Sequence, residues 1–255
     1  MENIPVDYEQ AVLILSEATK VWTRPQGLPA SCHPSSVAEA LAIQDRLVTQ
    51  LAGDIAGWKV ATDASGSALW GTIFAADCLP SPARIGGDRW KPIGIEGEIA
   101  FRFKRNLPCR TSPYSRSEIE DALVAFPAIE IVSSRYADYQ NTHFLDRLAD
   151  RMSNGGMVIG IPRPDWQSID LTQLRVTLDI DGIEKLNQIG GHPKKDPLLP
   201  AMEFIHARQA EMAFHEGQFI TTGTFTGLTF GKPGQQITIG FEDFGTVSVT
   251  IDPDA

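Results

Sequence analysis

Residues 92–101 read "PIGIEGEIAF", and their spacing decides how this part of the chain folds. Side chains alternate across a strand, so residues i and i+2 share a face. With the strand extended to Lys104, Ile95, Gly97, Ile99, Phe101 and Phe103 take one face. Glu96, Glu98, Ala100, Arg102 and Lys104 take the other. Two readings follow. One is an antiparallel strand with a wet face, where glutamate is common. The other is a pair of neighbouring carboxylates, which repel unless water or a cation intervenes.

Further stretches bear on the choice. In "FPAIEIVSSRY" (126–136), Glu130 sits between Ile129 and Ile131, and an uncompensated charge in an apolar strand is costly. If this strand lies beside the first, three carboxylates converge and demand a cation. Hard oxygen donors suit Mg²⁺ or Mn²⁺. In "GWKVAT" (57–62), Lys59 lies between Trp58 and Val60. Its amine either snorkels to water or is desolvated and fit for proton transfer. In "RMSNGGMVIG" (151–160), Ser153, Asn154, Gly155 and Gly156 precede an apolar strand. They form either a turn that offers successive N–H groups to an anion or an ordinary hairpin turn. In "TTGTFTG" (221–227), Thr222, Gly223, Thr224 and Gly227 offer hydroxyls and N–H groups to a carboxylate, or simply end a strand.

Helical spacing marks residues 7–22 and 36–52, with a break containing Pro and Ser between them. Strand patterns then occupy 55–61, 70–76, 94–103, 126–134, 174–182, 217–225, 235–241 and 245–251, with "IDGI" and "FEDFGT" as hairpin turns. Two more helices are expected. One starts at "SRSEIEDALV", where Ser115 and Glu118 suit a capping box, and one spans "DPLLPAMEFIHARQAEMAF". Strands that do not alternate with helices predict an α+β fold, not a doubly wound parallel sheet. The change near residue 54 divides an N-terminal helical region (1–54) from a β-rich region (55–255).

The chain has 255 residues, 42% of them hydrophobic, and a formal charge of −10. An acidic chain has no electrostatic reason to seek nucleic acid or an anionic membrane. An anionic substrate therefore needs a local cation, from basic side chains or a metal. Cys32, Cys78 and Cys109 show no CxxC spacing and read as reduced thiols of a cytoplasmic protein. No run approaches the ~18 apolar residues of a membrane span. The start "MENIPVDYEQ" lacks the basic and apolar regions of a secretory leader.

In order, "GWKVA", "GTIFAADCL", "IEGEIAF", "AIEIVSSRY", "LDRLADRMSNGGMVIG", "GGHPKKDPL" and "TTGTFTG" resemble the 2-keto-4-pentenoate hydratase / 2-oxo-3-hexenedioate decarboxylase family of the fumarylacetoacetate hydrolase superfamily. The resemblance runs from about residue 37 to the C-terminus. It implies a mixed β-roll core with N-terminal helices, assembled as a homo-oligomer. It implies that Glu96, Glu98 and Glu130 bind one divalent metal, Mg²⁺ or Mn²⁺. Lys59 resembles the family's active-site lysine, and Asp77 its acidic partner in catalysis. Thr224 resembles the position that helps hold the substrate carboxylate, and Ser153, Asn154 and Gly155 are candidates to bind substrate from their own turn. The chain departs from the family at "MEFIHARQ", at Arg151 where Asn is common, and at Gly97 between the two ligands.

The expected activity is metal-dependent addition of water to a 2-hydroxy-2,4-dienoate in aromatic-compound catabolism, acting on a small 2-oxo acid. The alternatives are decarboxylation of a 2-oxo-3-hexenedioate and C–C hydrolysis of an acylpyruvate. The last needs a positioned base, for which His33 with Glu39, or His143, are candidates. Binding an organic acid without turnover is a further alternative, and Lys59 distinguishes it, because a binding module needs no poised lysine.

Overall fold

The computed structural model describes residues 6–63 and 65–254; residues 1–5, read above for a leader, lie outside the described residues. Two amphipathic helices come first, α1 (Tyr8–Val21) and α2 (Val37–Leu51). The side chain of Asp7 accepts from the Gln10 N–H and that of Ser36 from the Glu39 N–H, which satisfies N–H groups with no partner inside the helix. Then follow β1 (Ile55–Thr62), β2 (Ala68–Phe74), β3 (Cys78–Pro80), β4 (Ala83–Ile85), β5 (Gly94–Phe103), α3 (Arg116–Glu120), β6 (Leu123–Val132), α4 (Phe144–Ala149) and β7 (Asn154–Ile159). The chain closes with β8 (Arg175–Ile180), β9 (Ile183–Ile189), α5 (Leu198–Arg208), β10 (Phe219–Thr224), β11 (Thr229–Phe230), β12 (Gln236–Phe241) and β13 (Gly245–Ile251).

The strands form two sheets. The larger runs β2-β1-β10-β5-β6-β7-β3, with β11 also on β5; the smaller runs β4-β13-β12-β8-β9. Both are mixed, with β1 and β10, β3 and β7, and β4 and β13 parallel and the remaining pairs antiparallel. The fold is therefore α+β with a mixed β-roll core, as expected.

Alternation divides the large sheet into two faces. Trp58, Val60, Ile95, Ile99, Phe101, Ile129, Ile131 and Ile220 pack against Val176, Leu178, Ile237, Ile239 and Val249 of the small sheet and Phe204 of α5. The other face carries a smaller apolar floor of Ile73, Ala100, Phe126, Ala128, Met157 and Phe219. The polar residues of interest rise from this second face. Helices α1 and α2 share a cluster with Leu69, Tyr136, Leu148 and Ala149, which braces α4 against the strands.

The Ser115–Glu118 capping box is present, but its helix ends at Glu120. The residues expected to extend it, Leu123 and Val124, instead pair with Phe103 and Arg102 of β5. Strand pairing overrides a weak local preference there. Likewise α5 stops at Arg208, and Phe214 bridges to Leu107. Helix α4 and strands β3, β4, β9 and β11 lie outside the expected elements; all but β9 are short, and β9 is largely exposed.

Candidate metal centre and active site

Strand register builds the site. Glu96 lies directly opposite Glu130 in the β5–β6 ladder, and Glu98 opposite Ala128, so all three carboxylates rise from one face. One oxygen from each lies within 4.8 Å of the others. Glu98 is 1% exposed and Glu130 fully buried. The wet-face reading of this strand therefore fails at Glu98. Lys59 joins the same face from β1, opposite Thr221 of β10, which lies opposite Ala100. Its Nζ is 2.7 Å from Glu130 Oε1.

Each carboxylate has a distinct environment. Glu98 accepts from the Thr221 hydroxyl and from the Gly223 N–H at 3.1 Å. Burial, then the nearby Glu130 and Glu96 charges, push its carboxyl up to about 8. Glu130 accepts from Asn154 Nδ2 at 3.0 Å. Burial raises its pKa, against the opposing pull of Lys59. Burial alone would lower the Lys59 pKa, but Glu130, Glu96 and Glu98 outweigh it and hold the ammonium above its ordinary value. Without a metal, Lys59 is therefore a counter-ion rather than a free base.

Orphaned polar atoms at the site suit a cation. Glu130 Oε2, Asn154 Oδ1 and Ser153 Oγ are all buried without a hydrogen-bond partner. Such atoms are rare in a folded protein and call for a ligand or water. Three carboxylates with an orphaned oxygen among them suit a hard divalent ion, Mg²⁺ or Mn²⁺. Glu96, Glu98 and Glu130 would hold it.

The Ser153–Asn154 segment is set by an unusual turn. Arg151, Met152 and Ser153 all have left-handed φ, at 51°, 53° and 56°. Three such residues in a row carry strain that the surroundings must balance. Buried Arg135 does much of this, through its ion pair with Asp150 and bonds to the carbonyls of Asp150 and Asn154, both at 2.8 Å. Gly71 is the other requirement. It lies opposite Lys59 in the β1–β2 ladder, and a Cβ there would sit 2.3 Å from the Arg151 carbonyl oxygen. The missing side chain lets the turn approach, so that Lys59 Nζ reaches the Met152 carbonyl at 3.5 Å. The segment is thus neither a hairpin turn nor a row of N–H groups. The Ser153 N–H bonds the Asp150 carbonyl, and Gly155 is a buried β7 residue packed on Ser133.

Asp77 lies apart from this cluster. Its carboxylate meets Arg89 Nη2 at 2.5 Å and Arg151 Nη1 at 3.7 Å. Its own carbonyl lies against Gly156, the residue beside the Glu130–Met157 pair. Thr224 stands opposite Glu98, with its hydroxyl among the Gly97 carbonyl of β5 and Thr226 and Gly227 of its own loop. Glu39 bonds Ser35, His33 pairs with Asp146, and His143 caps α4, so no His–Glu pair forms among the described residues.

Sequence reasoning missed Thr221, Arg135, Gly71 and Arg89. Thr221 lies within the quoted "TTGTFTG", but that its hydroxyl meets Glu98 follows only from the pairing of β10 with β5. Arg135 and Gly71 act through contacts distant in sequence.

The profile of the fumarylacetoacetate (FAA) hydrolase C-terminal family matches residues 73–252. The chain belongs to this family. Among individual relatives, a 4-oxalocrotonate decarboxylase of Pseudomonas sp is 25% identical over 186 residues, 71% of this chain and 69% of the relative. A 2-keto-4-pentenoate hydratase of Paraburkholderia xenovorans is 26% identical over 155 residues, 60% of this chain and 56% of the relative. The chain thus spans little more than half of that hydratase. In three dimensions, 4-oxalocrotonate decarboxylase from Pseudomonas putida G7, complexed with magnesium and adipate, superposes with a TM-score of 0.78. That match covers 98% of this chain and 100% of the other, at 20% identity. It establishes the shared fold of this family member over nearly its whole length.

Proposed function

We propose that this protein is a divalent-metal-dependent hydratase that adds water to a 2-hydroxy-2,4-dienoate to give a 4-hydroxy-2-oxo acid. The observation that carries the reading is the convergence of Glu96, Glu98 and Glu130 with Lys59 paired to Glu130 at 2.7 Å. A bound Mg²⁺ or Mn²⁺ supplies Lewis acidity toward the 2-oxo group of such a substrate.

The chain's own residues supply the rest. Ser153 and Asn154 present buried polar atoms with no partner, and the Asn154 amide also bonds Glu130. Both are candidate substrate-binding groups, together with the hydroxyl of Thr224, which stands opposite Glu98 on the facing strand. Gly155 joins them only through its place in the same segment as Ser153 and Asn154. Lys59 handles a proton at the enolate or at the adding water. Protonation at C5 with loss of the 2-hydroxyl proton gives the 2-oxo-3-enoate; water then adds its oxygen at C4, losing a proton, while C3 gains one to give the 4-hydroxy-2-oxo acid. Neutral lysine is the form that accepts a proton, and charge compensation of the three glutamates frees Lys59 to become neutral. Asp77, whose carboxylate is clamped between Arg89 and Arg151, orients Lys59 or shares its proton transfer.

Decarboxylation of a 2-oxo-3-hexenedioate is the second reading, favoured by the name of the Pseudomonas relative. We further infer a helical region at 1–54 that braces a catalytic β-roll at 55–255, a homo-oligomer, and a place in aromatic-compound breakdown in the cytoplasm. Three free cysteines agree with a reducing compartment, and no helix among the described residues is long and apolar enough to cross a membrane.

Ultraviolet absorbance of 2-hydroxypenta-2,4-dienoate, followed with metal-stripped protein before and after adding Mg²⁺ or Mn²⁺, tests the reading. Metal-dependent loss of the dienoate with gain of one water is the expected result. Loss of CO₂ from 2-oxo-3-hexenedioate, with the dienoate untouched, would replace hydration by decarboxylation.

A further inference from the structure

The "GGHPKKDPL" segment (190–198) leaves β9 and folds onto the end of β10. That end is irregular. Thr221 lies opposite Ala100 and Thr224 opposite Glu98, so Thr222 and Gly223 together face Ile99 alone. Two residues against one make a β-bulge, which interrupts the ladder and re-aims its backbone groups. Gly223 supplies the φ of 114° that the bend requires. Its N–H donates to Glu98 Oε2 at 3.1 Å. The carbonyl of the same peptide unit, that of Thr222, accepts from Nε2 of the buried His192 at 2.9 Å.

The His192 ring makes that bond in one form. Its Nδ1 accepts from the Lys194 N–H at 3.2 Å, and a carbonyl cannot donate, so Nε2 carries the proton of a neutral imidazole. Burial agrees with this, since it holds the His192 pKa below its ordinary value. The surroundings fix the ring in place. It packs on Phe225 with ring centroids 5.2 Å apart. Phe225 in turn accepts at its carbonyl from Gln188 Nε2 at 2.9 Å and donates its N–H to the Gly97 carbonyl at 2.7 Å. A Cβ on Gly191 would lie 2.5 Å from the Phe225 carbonyl oxygen, so glycine is what lets the segment come this close.

We propose that His192 is a positioning residue for the candidate metal ligand Glu98, acting through the Thr222–Gly223 peptide. A peptide whose carbonyl accepts a hydrogen bond is a stronger donor at its N–H, because bonds in a chain polarise one another. His192 thus fixes the Gly223 N–H on Oε2, where the Thr221 hydroxyl also donates, and leaves Oε1 for the ion. Groups one step removed from a metal orient its ligands in this way. The inference rests on the three-glutamate metal site, and it holds for hydration and decarboxylation alike.

The test compares two substitutions. Asparagine places its Oδ1 where Nδ1 lies and lacks a donor at Nε2. Glutamine places its Nε2 near that of the histidine and lacks the acceptor at Nδ1. The readout is the dissociation constant of Mn²⁺, titrated by calorimetry into the full chain, with a melting curve of each variant in EDTA to verify folding. His192→Asn should weaken Mn²⁺ binding by about 10- to 100-fold, and His192→Gln by less than about 3-fold. A residue that only holds its loop together would weaken both alike or neither. Equal constants in the two variants therefore overturn the role of His192 and leave the metal site standing. No binding of Mn²⁺ by the wild type overturns both. If His192→Asn does not fold, nuclear magnetic resonance of the wild type decides. Adding Mg²⁺ should shift the His192 Nε2–H and Gly223 N–H signals and leave in place that of His206, whose ring bonds the Tyr114 carbonyl instead. A His192 signal that does not move overturns the proposal.

Discussion

Replacing Lys59 with methionine removes the cation paired with Glu130 and keeps a side chain of similar length. In the metal-free protein this leaves a fully buried carboxylate beside Glu96 and Glu98 with no counter-charge. Breaking a buried ion pair on one side costs about 3–5 kcal/mol. At roughly 2–4 °C per kcal/mol for a chain of this size, the melting temperature should fall by about 6–20 °C. Glu130 has one escape, which is to take up a proton. Lys59 lowers the Glu130 pKa, so its removal raises that pKa further. The variant's folded state then holds a proton that its unfolded state releases near the ordinary carboxylate value, and its stability falls as pH rises through that window. Lys59 itself, raised above its ordinary value, contributes its stabilisation throughout the neutral range and loses it only in strong alkali. The deficit is therefore largest near pH 8 and small near pH 5. Saturating Mg²⁺ should also shrink it, because the ion replaces the missing charge. Melting curves in EDTA at both pH values, and with Mg²⁺ at pH 8, measure this, and turnover of the dienoate should be lost throughout. A variant that melts within about 2 °C of wild type in EDTA at pH 8 would refute the ion-pair argument, and normal turnover would remove Lys59 from the chemistry.

Glu98→Gln removes a carboxyl pushed up to about 8, so the metal-free variant should melt higher than wild type above that pH, while the rise on adding Mg²⁺ disappears. Metal affinity of the wild type should strengthen as pH rises toward about 8 and bring proton release, read from calorimetry in buffers of different ionisation enthalpy. Gly71→Ala places a Cβ 2.3 Å from the Arg151 carbonyl and should cost about 1–3 kcal/mol, with turnover reduced by more than about 10-fold as Met152 and Ser153 shift. If its activity and melting temperature match wild type, the turn does not depend on that close approach.

Much of the strand content lay open in the sequence. β5 and β13 run over the residues their alternation marks, because both pack an apolar face inward along their full length. Helix α3 did not, because a capping box starts a helix but cannot hold one against pairing with β5. Glu96 and Glu98 share a face by the period of any strand, and the apolar neighbours of Glu130 marked it as a charge needing a partner. Asp77 was harder to read. Its matching motif says nothing of Arg89 or Arg151, whose guanidinium groups reach it across the fold.

The sequence by itself determined the face of each strand, because side-chain alternation is a property of the backbone. That was enough to align Glu96 with Glu98 and to set Lys59 and Glu130 apart from the apolar residues beside them. Tertiary structure alone decided which strands became neighbours, since hydrogen-bonded register joins residues remote in the chain. Only that register put Glu130 opposite Glu96, Lys59 opposite Gly71, and the Arg151–Ser153 turn against the space that Gly71 leaves.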